Sequence, residues 1–304
     1  MDYRKIIPGR NIRVGILRML TFVPDEPMLK FQYRVQMGRK LDVKHPKTYT
    51  EKLQLYKMYY RNPVMHQCVD KYDVRAYVES KGLGEYLNEL YGVYDAVSEI
   101  EWDKLPNKFI IKTTSGGGGN NIVICHDKNT FDTSTVEERL NLSMSNKSGS
   151  FSAGREWAYT NNKTKIIVEK LLEGNEEFSQ GLADYKILCF QGEPKVVILD
   201  VDRYVNHLRN FYDTEWNNLN ILSDHEQINR EIPKPDNMEE MLDVARKLSS
   251  DFPHARIDLY NIKGKITFGE ITFYPWSGYV KFQPQRFDEM LGGYFDTSSF
   301  YNKK

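Results

Sequence analysis

The chain predicts an α+β fold of antiparallel sheets flanked by helices, and three observations carry that expectation. Lys108-Phe-Ile-Ile-Lys112-Thr-Thr-Ser115 and Asn-Asn-Ile-Val-Ile-Cys125 flank four consecutive glycines, Gly116 to Gly119. That pattern reads as two short strands joined by a bare loop. From residue 182 onward, Tyr185–Gln191 and Lys195–Val201 form one strand pair, and Arg256–Asn261 and Lys265–Phe273 a second. Each pair is separated by a turn, Gln191-Gly-Glu-Pro194 and Asn261-Ile-Lys-Gly264 respectively. Finally, strands do not alternate regularly with helices, as a parallel βαβ sheet would require.

The first hundred residues read as mainly helical. Thr48 with Glu51 three positions later is a capping box opening a helix. Val69–Ser80 reads as another helix, stopped by Lys81-Gly-Leu-Gly84, and Leu87–Tyr94 as a short strand. After the glycine hairpin comes a polar stretch, Thr130–Ser152, with Asn141–Gly154 as a mobile loop, and then a strand at Lys165–Glu169. Met241, Leu242, Ala245 and Leu248 give Asn237–Ser250 the spacing of an amphipathic helix. The expected units are a helical region over 1–104, a small subdomain over 105–170 and a large one over 171–304.

Composition narrows the function. Lys+Arg and Asp+Glu both total 42, a formal net charge of +0 that argues against a general nucleic-acid binder. The 20 tyrosines suit ligand walls and surfaces that meet sugars. Cys68, Cys125 and Cys189 are far apart and form no CxxC pair, so free buried thiols in a reducing cytoplasm are expected. No apolar run approaches the roughly 20 residues needed to span a bilayer, and the start lacks a signal-peptide pattern. Segment Arg10–Leu20 mixes arginines with apolar residues. It is expected to pack on the protein, with an anionic membrane surface as the alternative.

Three segments carry candidate chemistry. Glycine has no β-carbon, so the amides of Gly116, Gly117, Gly118 and Gly119 can approach anionic oxygens, with Ser115 beside them and Lys112 adding a charge. A plain hairpin turn would use the same residues. The glycines do not follow GxxxxGK[ST], the lysine precedes the loop instead of lying on a later strand, and no helix opens after it. The second segment pairs Asp258 with Glu270 on neighbouring strands, each within an apolar run, and Thr272 shares the face of Glu270. Oxygen donors so placed suit Mg²⁺, and the alternative is salt bridging to Arg256 or Lys265. In the third, Glu169, Leu171, Leu172 and Glu176 or Glu177 form a strand end and turn that could clamp a nucleoside or simply be a solvated acidic turn.

In their order and spacing these segments resemble the ATP-grasp superfamily. More narrowly, Pro46-Lys-Thr-Tyr-Thr-Glu51-Lys52-Leu-Gln54, Asp70-Lys71-Tyr-Asp-Val-Arg75, Phe109-Ile-Ile-Lys-Thr-Thr-Ser-Gly-Gly-Gly, Asp184-Tyr-Lys186 and Phe268-Gly-Glu-Ile-Thr-Phe273 are similar to the TupA-like ATP-grasp family, named for teichuronopeptide synthesis. The likeness extends over roughly residues 30–295. It implies an ATP-grasp fold with ATP held between two antiparallel subdomains, Lys112 and Ser115–Gly119 on the phosphates, and Glu169, Leu171, Leu172 and Glu176 on adenosine. It also implies Mg²⁺ at Asp258 and Glu270. Thr272 stands where many members carry Asn, and a hydroxyl is a poorer ligand.

Lys186 and Arg203 are expected on the transferring phosphoryl group, and His207 and Arg209 on the acceptor's carboxylate. Trp157, Tyr159, Tyr274 and Trp276 are candidates to wall that site. The implied activity is carboxylate–amine ligation through an acyl phosphate. The implied partners are a uronic-acid glycan or sugar acid, an amine donor, a peripheral membrane complex assembling capsule polysaccharide and a second copy of the chain, with no nucleic acid. Asp200-Val-Asp202 keeps open a glycosyltransferase using a nucleotide sugar, and a non-catalytic nucleotide-binding scaffold is the third reading.

Overall fold

The computed structural model describes residues 10–116, 122–145, 152–160, 162–174, 182–202 and 205–301. Among the described residues five helices come first: α1 (Arg10–Met19), α2 (Asp25–Met37), α3 (Tyr49–Tyr59), α4 (Val64–Val69) and α5 (Val74–Ser80). A small sheet follows, made of β1 (Leu90–Tyr94), β2 (Phe109–Thr113), β3 (Ile122–Cys125) and β4 (Ile166–Lys170), with α6 (Thr133–Ser145) between its last two strands. A larger sheet contains β5 (Asp184–Phe190), β6 (Glu193–Val201), β7 (Leu208–Tyr212), β8 (His254–Ile262) and β9 (Lys265–Thr272). Helix α7 (Met238–Ser249) precedes β8, and α8 (Arg286–Tyr294) follows β9. The strand orders are β1-β4-β2-β3 and β7-β6-β5-β8-β9, all neighbours antiparallel. The α+β architecture with two antiparallel sheets is as the sequence predicts.

Alternation gives each sheet two chemically distinct faces. In the small sheet Phe109, Ile111, Val123, Ile166 and Val168 are buried with Val136 and Leu140 of α6. Register places Lys112 and Glu169 on the opposite face. In the large sheet Ile187, Cys189, Val197 and Ile257 alternate onto the face that meets α7, where the Cys189 thiol lies 3.9 Å from the Ala245 carbonyl oxygen. The other face is charged at one end and aromatic at the other. Its aromatic end, Phe190 and His254, is closed by Tyr49 of α3 and by Phe295 just after α8.

Helices α3 and α8 are joined by groups the sequence places at their ends. The Thr48/Glu51 capping box forms as expected, Thr48 Oγ1 accepting from the Glu51 amide and the Glu51 carboxylate from the Thr48 amide. Asp288 accepts from the Thr50 amide at 2.9 Å and hydroxyl at 2.8 Å, and the Lys52 ammonium donates to the Gly292 and Phe295 carbonyls. Contact is so close that a β-carbon on Gly292 would overlap the Lys47 carbonyl oxygen. Both predicted hairpin turns carry two successive positive φ values, Gln191 (48°) with Gly192 (80°) and Lys263 (52°) with Gly264 (81°). That backbone matches the twist of the strands it joins.

Four expectations change. Val69–Ser80 is not one helix, because the Asp70 carboxylate accepts from the Tyr72 and Asp73 amides at 2.9 and 3.0 Å and breaks the chain into α4 and α5. Most of the polar stretch at Thr130–Ser152 is helix α6, started by Asp132 accepting from the Ser134 and Thr135 amides. The loop expected at Asn141–Gly154 therefore begins inside a helix, and 146–151 lie outside the described residues. Leu90–Tyr94 pairs with β4, so the small sheet reaches back across the expected boundary at 104. Strand β7 occupies Leu208–Tyr212, where the sequence reading placed only reactive side chains.

His254 reports on this packing. Its Nδ1 lies 2.8 Å from the Cys189 carbonyl and so donates, leaving Nε2 to accept from the Tyr49 hydroxyl at 2.9 Å. Burial depresses its pKa from 6.5 to about 3. The unfolded chain binds this proton first, so stability is complete above about 6.5 and is lost as pH falls towards 3. In chemical denaturation at stepped pH, this component should approach about 1.4 kcal/mol per pH unit and should be missing from His254→Gln, whatever that variant's baseline stability.

Candidate functional site

The polar face of the small sheet and the charged face of the large sheet line connected cavities. An open cleft of about 640 Å³ has Lys71 and Gly116 among its lining, with Arg256, Glu270 and Thr272. A smaller hollow of about 50 Å³ continues from it, bounded by Arg75, Lys112, Glu169, Leu172, Tyr260 and Phe268. The cleft is in the size range of small-molecule sites, whereas the hollow has room for a few waters.

At the small-sheet end, Glu169 sits between two cations. One of its oxygens accepts from Lys112 Nζ at 2.9 Å and the other from Arg75 Nη1 at 3.2 Å. The adenosine acceptor expected from the sequence is thus held by the neighbouring phosphate candidate. Leu171 is half-buried and Leu172 borders the hollow. The turn made by Asp70 presents Lys71, whose backbone amide donates to the Thr114 carbonyl at 3.2 Å and whose ammonium donates to that of Gly116 at 2.7 Å. The base of the glycine loop is therefore tied to the α4–α5 corner. Ser115 Oγ lies 2.5 Å from the Thr164 hydroxyl, and Gly116 has φ 95°. Gly117, Gly118, Gly119, Glu176 and Arg203 lie outside the described residues. Burial holds Lys71 below the usual lysine range, with Lys112 acting in the same direction and Glu270 opposing. An arriving polyanion would relieve that penalty.

At the large-sheet end, register gathers the acids. Lys186 opposes Asp258, Asp184 opposes Asp200, Asp258 opposes Glu270, and Arg256 opposes Thr272. The Arg256 guanidinium joins all three expected metal-site residues. It donates to both Asp258 oxygens at 2.7 Å, to Glu270 Oε1 at 2.9 Å and to the Thr272 hydroxyl at 3.1 Å. Beneath it the buried Lys186 ammonium contacts Asp184, lies 3.1 Å from Asp258 and 3.9 Å from Asp200. The salt bridging weighed as the alternative at Asp258 and Glu270 is therefore present.

Four carboxylates (Asp184, Asp200, Asp258, Glu270) share this sheet face with three cations (Lys186, Arg209, Arg256). Burial raises the Asp258 carboxyl above its usual range against the pull of Arg256 and Lys186, with Glu270 and Asp184 adding to the rise. Glu270 is also pushed up by burial, but Arg256, Lys186 and Lys71 bring it to about 2. Hard oxygen donors with surplus negative charge fit a divalent cation. Among the described residues no group of three or more His, Cys, Asp or Glu is arranged to hold a metal ion. Asp258, Glu270 and Thr272 would leave the rest of a Mg²⁺ shell to phosphate oxygens and water.

The remaining candidates are less open than the sequence implies. Arg209 is buried, with Nε and Nη2 donating to the two Asp200 oxygens at 2.5 and 2.8 Å and Nη1 donating to Asp224. Its guanidinium is thus committed within the protein, which corrects the expectation that it meets an acceptor's carboxylate. His207 Nε2 lies 3.2 Å from Asp200, and its ring is 3.7 Å from that of His225. Asp200, the first acid of the Asp-Val-Asp motif, has both oxygens in use. Although burial opposes its ionisation, Arg209, His207 and Lys186 hold it well below the usual carboxylate range. Tyr159 and Tyr274 border the cleft, whereas Trp276 donates to Asp224 and Trp157 packs edge-on against His66.

The sequence assigned no role to Lys71 or Arg75, and gave Arg256 only the salt-bridging alternative. Their signal was present in Asp70-Lys71-Tyr-Asp-Val-Arg75 and in Arg256-Ile-Asp258, where alternation puts the arginine on the aspartate's face.

A family model described as TupA-like ATPgrasp matches residues 51–296. No curated protein matches the chain. Among solved structures, the D-alanine–D-alanine ligase from Bacillus anthracis is 17% identical, with TM-score 0.40, covering 68% of this chain and 57% of its own. The Helicobacter pylori D-alanine–D-alanine ligase is 14% identical, with TM-score 0.43, covering 81% and 68% respectively. The ADP complex of PurK, N5-carboxyaminoimidazole ribonucleotide synthetase, is 13% identical, with TM-score 0.43, covering 69% and 46%. This chain thus spans little more than half the length of the first of these. The chain belongs to the TupA-like ATP-grasp family.

Arg256 is what keeps Asp258 and Glu270 together, so Arg256→Met should cost about 3–5 kcal/mol in urea denaturation. Adding Asp258→Asn to it should cost much less than the sum of the two single changes, because the second change removes the charge the first left unpaired. Additive costs would show that the guanidinium does not neutralise this pair.

Proposed function

We propose that this TupA-like ATP-grasp protein is an ATP-dependent ligase joining a carboxylate to an amine. The observation that carries the reading is one cleft bordered by Lys71 and the base of the glycine loop on one side and by Arg256, Glu270 and Thr272 on the other. A polyphosphate lying in it would meet cations from the small-sheet side and a cation-binding acid pair from the large-sheet side. Asp258, Glu270 and Thr272 would hold Mg²⁺, which supplies neutralisation of the phosphate oxygens when bound.

The chain's own groups account for the rest. Lys112 and Lys71 orient the phosphates through charge-assisted hydrogen bonds. Arg256, already aimed between Asp258 and Glu270, supports the negative oxygens of the transferring phosphoryl group. Lys186 stays beneath, holding Asp184, Asp200 and Asp258 together without reaching substrate. In the first half-reaction a substrate carboxylate oxygen bonds to the γ-phosphorus, the bond to the bridging oxygen breaks, and ADP leaves. In the second, an amine nitrogen attacks the acyl carbon, loses a proton and expels inorganic phosphate.

The substrate class follows the family: a uronic-acid carboxylate of a capsule or other surface polysaccharide, with an amino acid or amino sugar as the amine. The glycosyltransferase reading finds less support, since Asp200 is buried under Arg209 away from the open cleft, which Glu270 and Thr272 border.

Incubation with ATP, Mg²⁺, uronic-acid glycans and amino acids should yield ADP and a product whose mass corresponds to amide formation. Release of UDP from a UDP-sugar, or ATP binding without ADP release under any pairing, would overturn the ligase. Lys112→Ala should raise the KM for ATP roughly tenfold or more, and an unchanged value removes Lys112 from the phosphates. Glu270→Gln should abolish Mg²⁺-dependent ADP release while thermal unfolding stays cooperative. Wild-type turnover in that variant would defeat the metal assignment.

A further inference from the structure

We infer that α1 and the turn after it form a peripheral docking surface for an anionic lipid bilayer. The segment was expected to pack on the protein, and Val14, Ile16, Leu17 and Leu20 are half-buried, but three large apolar side chains are left out. Ile12 is 59% exposed, Met19 70% and Phe22 80%, the last being the most exposed large apolar side chain among the described residues. No residue of α1 joins a buried core cluster. Ile12, Ile16 and Met19 stand at i, i+4 and i+7, one stripe of a helix. Water is a poor solvent for such a stripe, and soluble chains seldom leave one uncovered.

Charge selects the occupant. Within the first twenty residues the sequence holds five basic residues, Arg4, Lys5, Arg10, Arg13 and Arg18, against the single acid Asp2. The whole chain is neutral at +0, so the remainder carries the opposite excess. A short helix whose sequence carries arginines and no acid, with Ile12 and Met19 exposed on it, matches the interface of a bilayer whose headgroups are negative. No helix among the described residues is long and apolar enough to cross a membrane, so the contact is with the surface. The surface is also fastened to the cleft. Arg155 donates to the Leu20 carbonyl at 2.8 Å and to Asp25 at 3.1 Å, while its neighbour Glu156 lines the cleft. Docking through α1 would therefore hold the cleft's rim near the lipid plane, which suits a membrane-borne acceptor.

The test is flotation of the full chain with vesicles of phosphatidylcholine alone and with about 30 mol% phosphatidylglycerol. The protein should float with the anionic vesicles at about 0.05 M salt and largely stay behind at about 0.5 M, where the Debye length falls to a few ångströms. Both Met19→Ser/Phe22→Ser and the triple change of Arg10, Arg13 and Arg18 to Glu should lower the bound fraction at least tenfold without shifting thermal unfolding. Three results would overturn the inference: no flotation of the wild type, equal flotation with uncharged vesicles, or variants that bind as well as wild type. Light scattering supplies a fourth. A dimer that Met19→Ser/Phe22→Ser disperses, with no lipid binding, would assign the stripe to a second copy of the chain.

Discussion

The constraint on which this molecule depends is the cost of placing three buried carboxylates and a half-exposed fourth on one sheet face. Asp184, Asp200 and Asp258 would repel one another strongly in a low-dielectric interior, with Glu270 at its solvent edge. Arg256, Lys186 and Arg209 make the arrangement tenable, each bridging at least two acids. The cations on this face are one fewer than the carboxylates, and under the proposed function a divalent ion would make up the difference. Replacing these groups with apolar residues would give a sturdier sheet with no chemistry.

That sheet is only half of the site. The small sheet contributes Lys112 and Glu169, and the α4–α5 corner contributes Lys71 and Arg75. Neither set of side chains belongs to the same structural layer as the acids. The break at Asp70 matters for this reason: a continuous helix through residues 69–80 would not turn Lys71 towards Gly116. A single carboxylate accepting two backbone amides thereby positions a cleft lysine. The opposite rim, with Arg155 fastening the end of α1, couples the same cleft to the one strongly amphipathic segment at the amino-terminal side.

Much of the architecture was legible from residues alone. Period-two alternation located β2, β4, β5, β6, β8 and β9 to within a residue or two, and the capping box located α3. The helix α6 was missed because Val136 and Leu140 are sparse among polar neighbours, and its start depends on Asp132, a residue equally at home in a loop. Strand β7 was missed because His207 and Arg209 drew a chemical reading, although Arg209 shares a sheet face with the buried Phe211. Within the site, the resemblance picked out Lys112, Glu169, Asp258, Glu270 and Thr272. The structure places Lys112 and Glu169 along the hollow and Glu270 and Thr272 along the cleft, with Asp258 buried beside Arg256, and adds Lys71, Arg75 and Arg256.

By itself, the order of residues determined the strands, the two tight turns, the family and which side chains share a sheet face, since all of these follow from local spacing. Only the tertiary structure decided which charges neutralise which. Arg209 belongs to Asp200, Arg256 to Asp258 and Glu270, and Glu169 to both Lys112 and Arg75. The physical reason is that ion pairing acts through space over a few ångströms and is indifferent to separation along the chain. Arg75 and Glu169, 94 residues apart, are partners only because helix α5 packs against the small sheet.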